Sequence, residues 1–138
     1  MKYLGLDLGT RTLGLAISDA LGMIATSYKI LRHDEDYDKL ILLLKEEIEN
    51  NNIGELVLGF PKNMDNSIGE RGKITLEFKE KLEKEFNIPV HMQDERLTTM
   101  QAEKLLISND TSRKKRKKVI DSLAATIILQ SYLDRKER

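Results

Sequence analysis

The spacing of apolar residues changes period along the chain, and that change limits the folds open to it. Leu4, Leu6 and Leu8 alternate with Tyr3, Gly5 and Asp7, the period of two that marks a strand. Gly9-Thr10-Arg11 reads as a turn. Leu13, Leu15 and Ile17 then alternate with Gly14, Ala16 and Ser18, so the first two strands predict a hairpin. Met23 to Leu31 is rich in β-formers and supplies a third strand. From Tyr37 the period lengthens: Tyr37, Leu40, Ile41, Leu44 and Ile48 fall at helical spacing, and Asn50-Asn51-Asn52 with Gly54 end that helix.

Leu56, Val57, Leu58 and Phe60 form a continuous apolar run, the pattern of a buried parallel strand. After a loop from Pro61, Ser67 and Glu70 stand at capping-box spacing ahead of Ile74, Phe78, Leu82 and Phe86, which predict a second helix. Val90 to Asp94 reads as a short strand. Thr98 or Thr99 can cap a helix carrying Ala102, Leu105 and Leu106, and Asn109-Asp110-Thr111-Ser112 breaks it. A basic run, Arg113 to Lys118, precedes a last helix reaching about Leu133. The order is three strands, helix, strand, helix, strand, helices. It predicts an α/β fold in one domain spanning residues 1–138. Its sheet is mixed and five-stranded, an antiparallel meander followed by parallel strands, with helices on both faces.

Composition closes off several function classes. There is no cysteine, which excludes a disulfide scaffold and a thiolate metal site, and only His33 and His91 are available for a histidine-rich zinc site. Both histidines read as surface residues rather than catalysts. Acidic and basic residues balance at 23 each, so a nucleic-acid signal must lie in charge placement. The opening Met1-Lys2-Tyr3-Leu4-Gly5 runs into a strand pattern without the apolar core of a signal peptide, and no apolar run is long enough to span a bilayer. The expected address is the cytoplasm, with no membrane partner.

Three places carry candidate chemistry. Asp7 sits near the end of an apolar strand beside Gly9, where ligand sites of α/β sheets lie. It also reads as a turn aspartate. Asp7-Leu8-Gly9-Thr10 further resembles the first phosphate loop of the actin and sugar-kinase ATPases, although that class needs two such domains around a nucleotide. Asp121 heads a helical stripe with Ala125, Ile128 and Tyr132, with Ala124 beside it, and a carboxylate near apolar surface needs a partner. The competing explanation is a helix N-terminal carboxylate held by the macrodipole. Asp94-Glu95-Arg96 ends a strand. Alternation places Asp94 with Val90 and Met92, and Glu95 with His91 and Gln93 on the more polar face, so only one of the two acids can easily join Asp7.

Converging carboxylates repel unless a cation sits among them. Mg²⁺ or Mn²⁺, hard and oxygen-loving, would answer that need. Two such ions about 3.5–4 Å apart could activate a water and stabilise the leaving oxygen in phosphodiester cleavage. Arg113, Lys114, Lys115, Arg116, Lys117 and Lys118 form the densest charge cluster and would hold a phosphate backbone without reading sequence. Otherwise such a run is a solvated loop. Aromatics do not interleave with it, so base stacking is not indicated.

These residues resemble the YqgF family, also called RuvX. The first motif is Leu6-Asp7-Leu8-Gly9-Thr10 with Gly14-Leu15-Ala16-Ile17-Ser18-Asp19. The middle motif is Gly59-Phe60-Pro61-Lys62-Asn63-Met64-Asp65 with Gly69. The third is Asp94-Glu95-Arg96-Leu97-Thr98-Thr99. The last is Lys117-Lys118-Val119-Ile120-Asp121-Ser122-Leu123-Ala124-Ala125, followed by Ile128 to Leu133. The resemblance covers essentially the whole chain. It implies an RNase H-like fold akin to RuvC-type resolvases, and an endonuclease maturing the 5′ end of pre-16S ribosomal RNA in bacteria. It implies that Asp7, Glu95 and Asp121 are both the catalytic acids and the ligands of Mg²⁺ or Mn²⁺, which selects Glu95 over Asp94. The implied partners are structured RNA such as precursor rRNA, or branched DNA, together with the small ribosomal subunit. The alternatives are a resolvase-like DNA nuclease and a non-cleaving assembly factor that binds rRNA, as a monomer or weak homodimer. Many members carry a basic residue where Thr12 stands; here Arg11, one position earlier, joins the predicted phosphate contacts. The loop Asn63-Met64-Asp65 reads equally as a substrate contact and as a turn into a helix.

Overall fold

The computed structural model describes residues 1–61, 68–94 and 113–136, and of residues 113–122 the backbone alone. Five strands form one mixed sheet in the order β3-β2-β1-β4-β5. They are β1 (Lys2–Leu8), β2 (Thr12–Ser18), β3 (Ala25–Arg32), β4 (Ile53–Phe60) and β5 (Val90–Asp94). β1 pairs antiparallel with β2, and β2 with β3. β1 pairs parallel with β4, and β4 with β5. The meander followed by parallel strands is the architecture the changing period predicts.

Helices cover both faces because β1 is apolar on both. Leu4, Leu6 and Leu8 point to one face, where they pack with Leu40, Leu44, Phe78 and Leu82 of α1 (Tyr37–Asn50) and α2 (Glu70–Glu85). Tyr3 points to the other, with Ala125, Ile128, Leu129 and Leu133 of α3 (Arg113–Lys136). Gly5 is what lets α3 come down onto the sheet. A Cβ on Gly5 would stand 2.7 Å from the Leu129 Cβ and 3.1 Å from the Ala125 carbonyl oxygen.

Several boundaries differ from the sequence-based expectation. Gly54 belongs to β4 rather than ending α1. The chain turns instead at Asn51, whose N–H donates to the Glu47 carbonyl, and at Asn52, which takes a left-handed φ of 53° that asparagine tolerates. α2 starts at Glu70 with Gly69 as its N-cap, so Glu70 opens the helix instead of standing three residues into it, and Ile68 makes a β-bridge. Ser67, the Asn63-Met64-Asp65 loop and the helix expected after Thr98 lie outside the described residues. The basic run does not precede the last helix but opens it, since helical backbone begins at Arg113.

α1 is tied to the edge strand β3 through Glu47. Its carboxylate accepts from Tyr28 Oη at 2.6 Å and Lys29 Nζ at 2.7 Å. Burial pushes the Glu47 carboxyl up, but the hydrogen bonds from Lys29 and Tyr28 outweigh it and leave it below the ordinary carboxylate value. A depressed folded value means the stability is present above the ordinary carboxylate range and is lost as pH falls through the depressed one.

Two outcomes follow in urea denaturation. Gly5→Ala should lower stability by about 1–3 kcal/mol, since neither the Leu129 Cβ nor the Ala125 carbonyl can yield freely; an unchanged midpoint would contradict the close approach. Glu47→Gln should lower stability by about 1–3 kcal/mol at pH 7. Its loss should shrink as the wild type is taken to acid, and a pH-independent difference would contradict the ion-paired carboxylate.

Candidate active site

The C-terminal ends of the three parallel strands lie together. Leu6 is level with Leu58, and Leu58 with Met92. One step further along the same register, Asp7 stands beside Gly59, and Gly59 is paired with Gln93. On the other side Asp7 pairs with Gly14. The half-buried Asp7 is thus flanked across the sheet by two glycines. On that face, the one α3 covers, neighbouring strands place no side chain beside the carboxylate. The next side chain in the row is Gln93.

Gln93 is the residue the sequence reading missed. Its Oε1 is buried and, among the described residues, is the one buried side-chain oxygen or nitrogen without a hydrogen-bond partner. Such an atom carries a penalty of about 1–3 kcal/mol unless something donates to it or a cation approaches it. The only sequence signal was its alternation with His91.

Asp7 shares its face with Tyr3 and Gly5, hence with α3. The helix runs antiparallel to β1: Tyr3 meets Tyr132, while Gly5 meets Leu129 and Ala125. Two strand residues from Gly5 to Asp7 advance about 6.7 Å, equal to roughly four to five residues of helix. The backbone level with Asp7 is therefore the stretch that includes Asp121. Of the expected stripe, Ala125 and Ile128 are buried against the sheet with Ala124 and Tyr132 is half-buried, while Leu129 and Leu133 are buried beside them. Asp121 lies more than two turns after Arg113. A macrodipole acts only within the first turn, so it does not account for this carboxylate. The Asp121 side chain is outside the described residues, as are those of Arg113, Lys114, Lys115, Arg116, Lys117 and Lys118.

Glu95 is likewise outside the described residues, which end on this strand at the exposed Asp94. Val90 and Met92 pack towards α1 and α2, whereas His91 stacks on Tyr132 of α3 at 4.9 Å. Asp94 therefore alternates onto the α1–α2 face, away from the face that Asp7 and Gln93 share. Among the described residues no three His, Cys, Asp or Glu side chains gather into a metal-sized cluster. Asp7 alone of the three predicted acids has its side chain described.

Arg11 is exposed at the tip of the β1–β2 turn, at the same end of the sheet. The expectation for His33 is overturned. It is 7% exposed, and its ring bonds to the Gly9 carbonyl at 3.0 Å. His91 is half-buried, held by Glu55 at 3.1 Å.

A three-stranded meander continued by two parallel strands, with helices on both faces and an acid at the end of the central strand, defines an RNase H-like fold. Residues 1–135 match the model of the RuvX family, described as Holliday junction resolvase, and the chain belongs to that family. A protein of Oceanobacillus iheyensis named "Putative pre-16S rRNA nuclease" is 50% identical over 137 residues, covering 99% of this chain and 100% of its own. The fold is similar to Thermus thermophilus RuvC in complex with a Holliday junction substrate. There the TM-score is 0.59 at 14% identity, covering 99% of this chain and 96% of that one. It is also similar to part of a ROK hexokinase from Thermus thermophilus, with TM-score 0.50 at 19% identity, covering 75% of this chain and 37% of that one.

Among the described residues, no helix is long and apolar enough to cross a membrane.

Proposed function

We propose that this chain is a metal-dependent endonuclease that cuts structured RNA, processing the 5′ end of precursor 16S rRNA in the cytoplasm. The observation that carries the reading is the 50% identity, over 99% of the chain, to a relative named for that nuclease activity. The structure supports it with a half-buried carboxylate at a strand end, between two glycines and in line with an unpartnered amide oxygen.

Asp7, Glu95 and Asp121 are the residues that would hold Mg²⁺ or Mn²⁺. The donor set fits: carboxylate oxygens are hard ligands, and the strands on either side of Asp7 place glycines beside it. A divalent cation there would supply Lewis acidity and neutralise charge at a phosphodiester. The chain's own part is to orient these acids from a strand end, the residue after β5 and a helix. Gln93 offers an acceptor to a donor group in the same space. Arg11 and the Arg113–Lys118 helix segment would hold the phosphate backbone, which gives affinity without sequence reading. RNA processing needs no two-fold assembly, so a monomer or weak homodimer suffices, and the small subunit is the natural setting for the substrate. The family's description as a Holliday junction resolvase favours branched DNA as the second substrate.

Purified protein should cleave precursor 16S rRNA faster than a four-way DNA junction, and only with added divalent metal. Asp7→Asn, Glu95→Gln and Asp121→Asn should each abolish cleavage with an unchanged circular dichroism spectrum. Full activity of Asp7→Asn would sink the proposal, and preference for the junction would reassign the substrate. A wild type that never cuts, together with RNA binding that survives all three changes, would indicate the assembly factor.

Replacing Arg113 to Lys118 with glutamine should weaken RNA binding. The slope of log affinity against log salt should shrink by roughly 0.7–0.9 for each phosphate that is no longer neutralised. An unchanged slope would remove the segment from the interface.

A further inference from the structure

The turn that follows Asp7 is fastened by two side chains far from it in sequence. A short hairpin needs little beyond its own closing bond, here from the Gly9 N–H to the Thr12 carbonyl at 2.8 Å. This turn has more. Arg71, near the start of α2, donates from Nη2 to the Leu8 carbonyl at 3.1 Å. His33, one residue past β3, donates its backbone N–H to the Arg11 carbonyl at 2.9 Å. Its ring reaches the Gly9 carbonyl through Nε2 at 3.0 Å.

The ring has one proton arrangement that suits both its contacts. Nδ1 accepts from the Glu35 N–H at 3.1 Å, so the proton of the neutral imidazole sits on Nε2 and is donated to Gly9. The Glu35 N–H is aimed at Nδ1 by a left-handed backbone, φ 67°, which a non-glycine residue adopts at some cost. The ring is buried and packs at 5.5 Å against Tyr37, which in turn lies 6.0 Å from Phe78 in the core. The carbonyls of Leu8, Gly9 and Arg11 are thus each held by a donor anchored elsewhere in the fold.

We propose that His33 and Arg71 are positioning residues that lock the Leu8–Arg11 turn, and through it the placement of Asp7 and Arg11. This deepens the nuclease reading and, for its catalytic consequence, rests on it. A carboxylate that shares a site must be held within a fraction of an ångström, and its backbone is two bonds from the side chain it directs. Without the latch, Asp7 would remain but would sample other positions.

The test combines amide hydrogen exchange with kinetics on the full chain. The variants are His33→Ala, His33→Gln, Arg71→Gln and, as a control remote from the turn, Tyr28→Phe, which loses the bond to Glu47. In His33→Ala and Arg71→Gln, exchange across residues 8–12 should quicken by roughly tenfold, the upper end of what one hydrogen bond contributes. In Tyr28→Phe it should stay at the wild-type rate. On precursor rRNA, kcat should fall about tenfold with KM changed less than about twofold, and His33→Gln, whose amide can still donate to Gly9, should recover most of it. Unchanged exchange across the turn would overturn the latch. So would an equal loss of kcat in Tyr28→Phe at matched thermal stability. Wild-type protein that cuts nothing would defeat the nuclease reading, and the exchange data alone would then decide the latch.

Discussion

The structure depends on the contact between Gly5 and α3. β1 is central in the sheet and must be covered on both faces, and on one of them the covering element is a single long helix. That helix can lie this close only because the strand presents no side chain where Leu129 and Ala125 cross it. The close approach fixes the height of α3 over the sheet, and the antiparallel run then brings the backbone around Asp121 level with Asp7. A packing requirement in the core thus sets which stretch of the α3 backbone lies level with Asp7, two residues further along the strand.

The other end of α3 is fixed by aromatic and charged contacts. Tyr132 meets the Tyr3 ring edge-on at 6.1 Å and stacks on His91. Lys136 lies 5.1 Å over Tyr3. Burial and the neighbouring Glu55 push the Tyr3 phenol up. Burial also raises the Glu55 carboxyl, but its bonds to Tyr3 and His91 prevail and hold it below the ordinary carboxylate value. Further up the helix, Gln130 bonds to the Ala25 N–H at 2.8 Å and the Met23 carbonyl at 3.0 Å. The helix is therefore anchored along its C-terminal half. The half that carries Asp121 and the basic run extends from that anchor towards the strand ends where Asp7 lies.

Much of this was legible in the sequence because it rests on periodicity. The alternation of Leu4, Leu6 and Leu8 gave β1, and the stripe through Ala125 and Ile128 gave the face of α3. The unseen parts depend on long-range pairing. No local rule says that Gly59 stands beside Asp7, since that needs the register of a parallel crossover, and Gln93 enters the site by the same register. His33 was misread as a surface residue because its partners, Gly9 and Arg11, are more than twenty positions away. The basic run is expected ahead of the last helix because consecutive like charges disfavour an isolated helix, whereas here it opens a helix whose C-terminal half is packed on the sheet. Of the predicted acids, Asp7 has its side chain among the described residues. Glu95 and Asp121 as site residues rest on the family motif.

The central claim is that Asp7, Glu95 and Asp121 converge on one divalent cation site. Anomalous diffraction from Mn²⁺-soaked crystals tests it without any assumption about substrate. The account predicts manganese bound by the Asp7 carboxylate together with Glu95 and Asp121, and its disappearance in Asp7→Asn. Manganese held elsewhere, or three well-ordered carboxylates pointing away from one another with no metal among them, would contradict it.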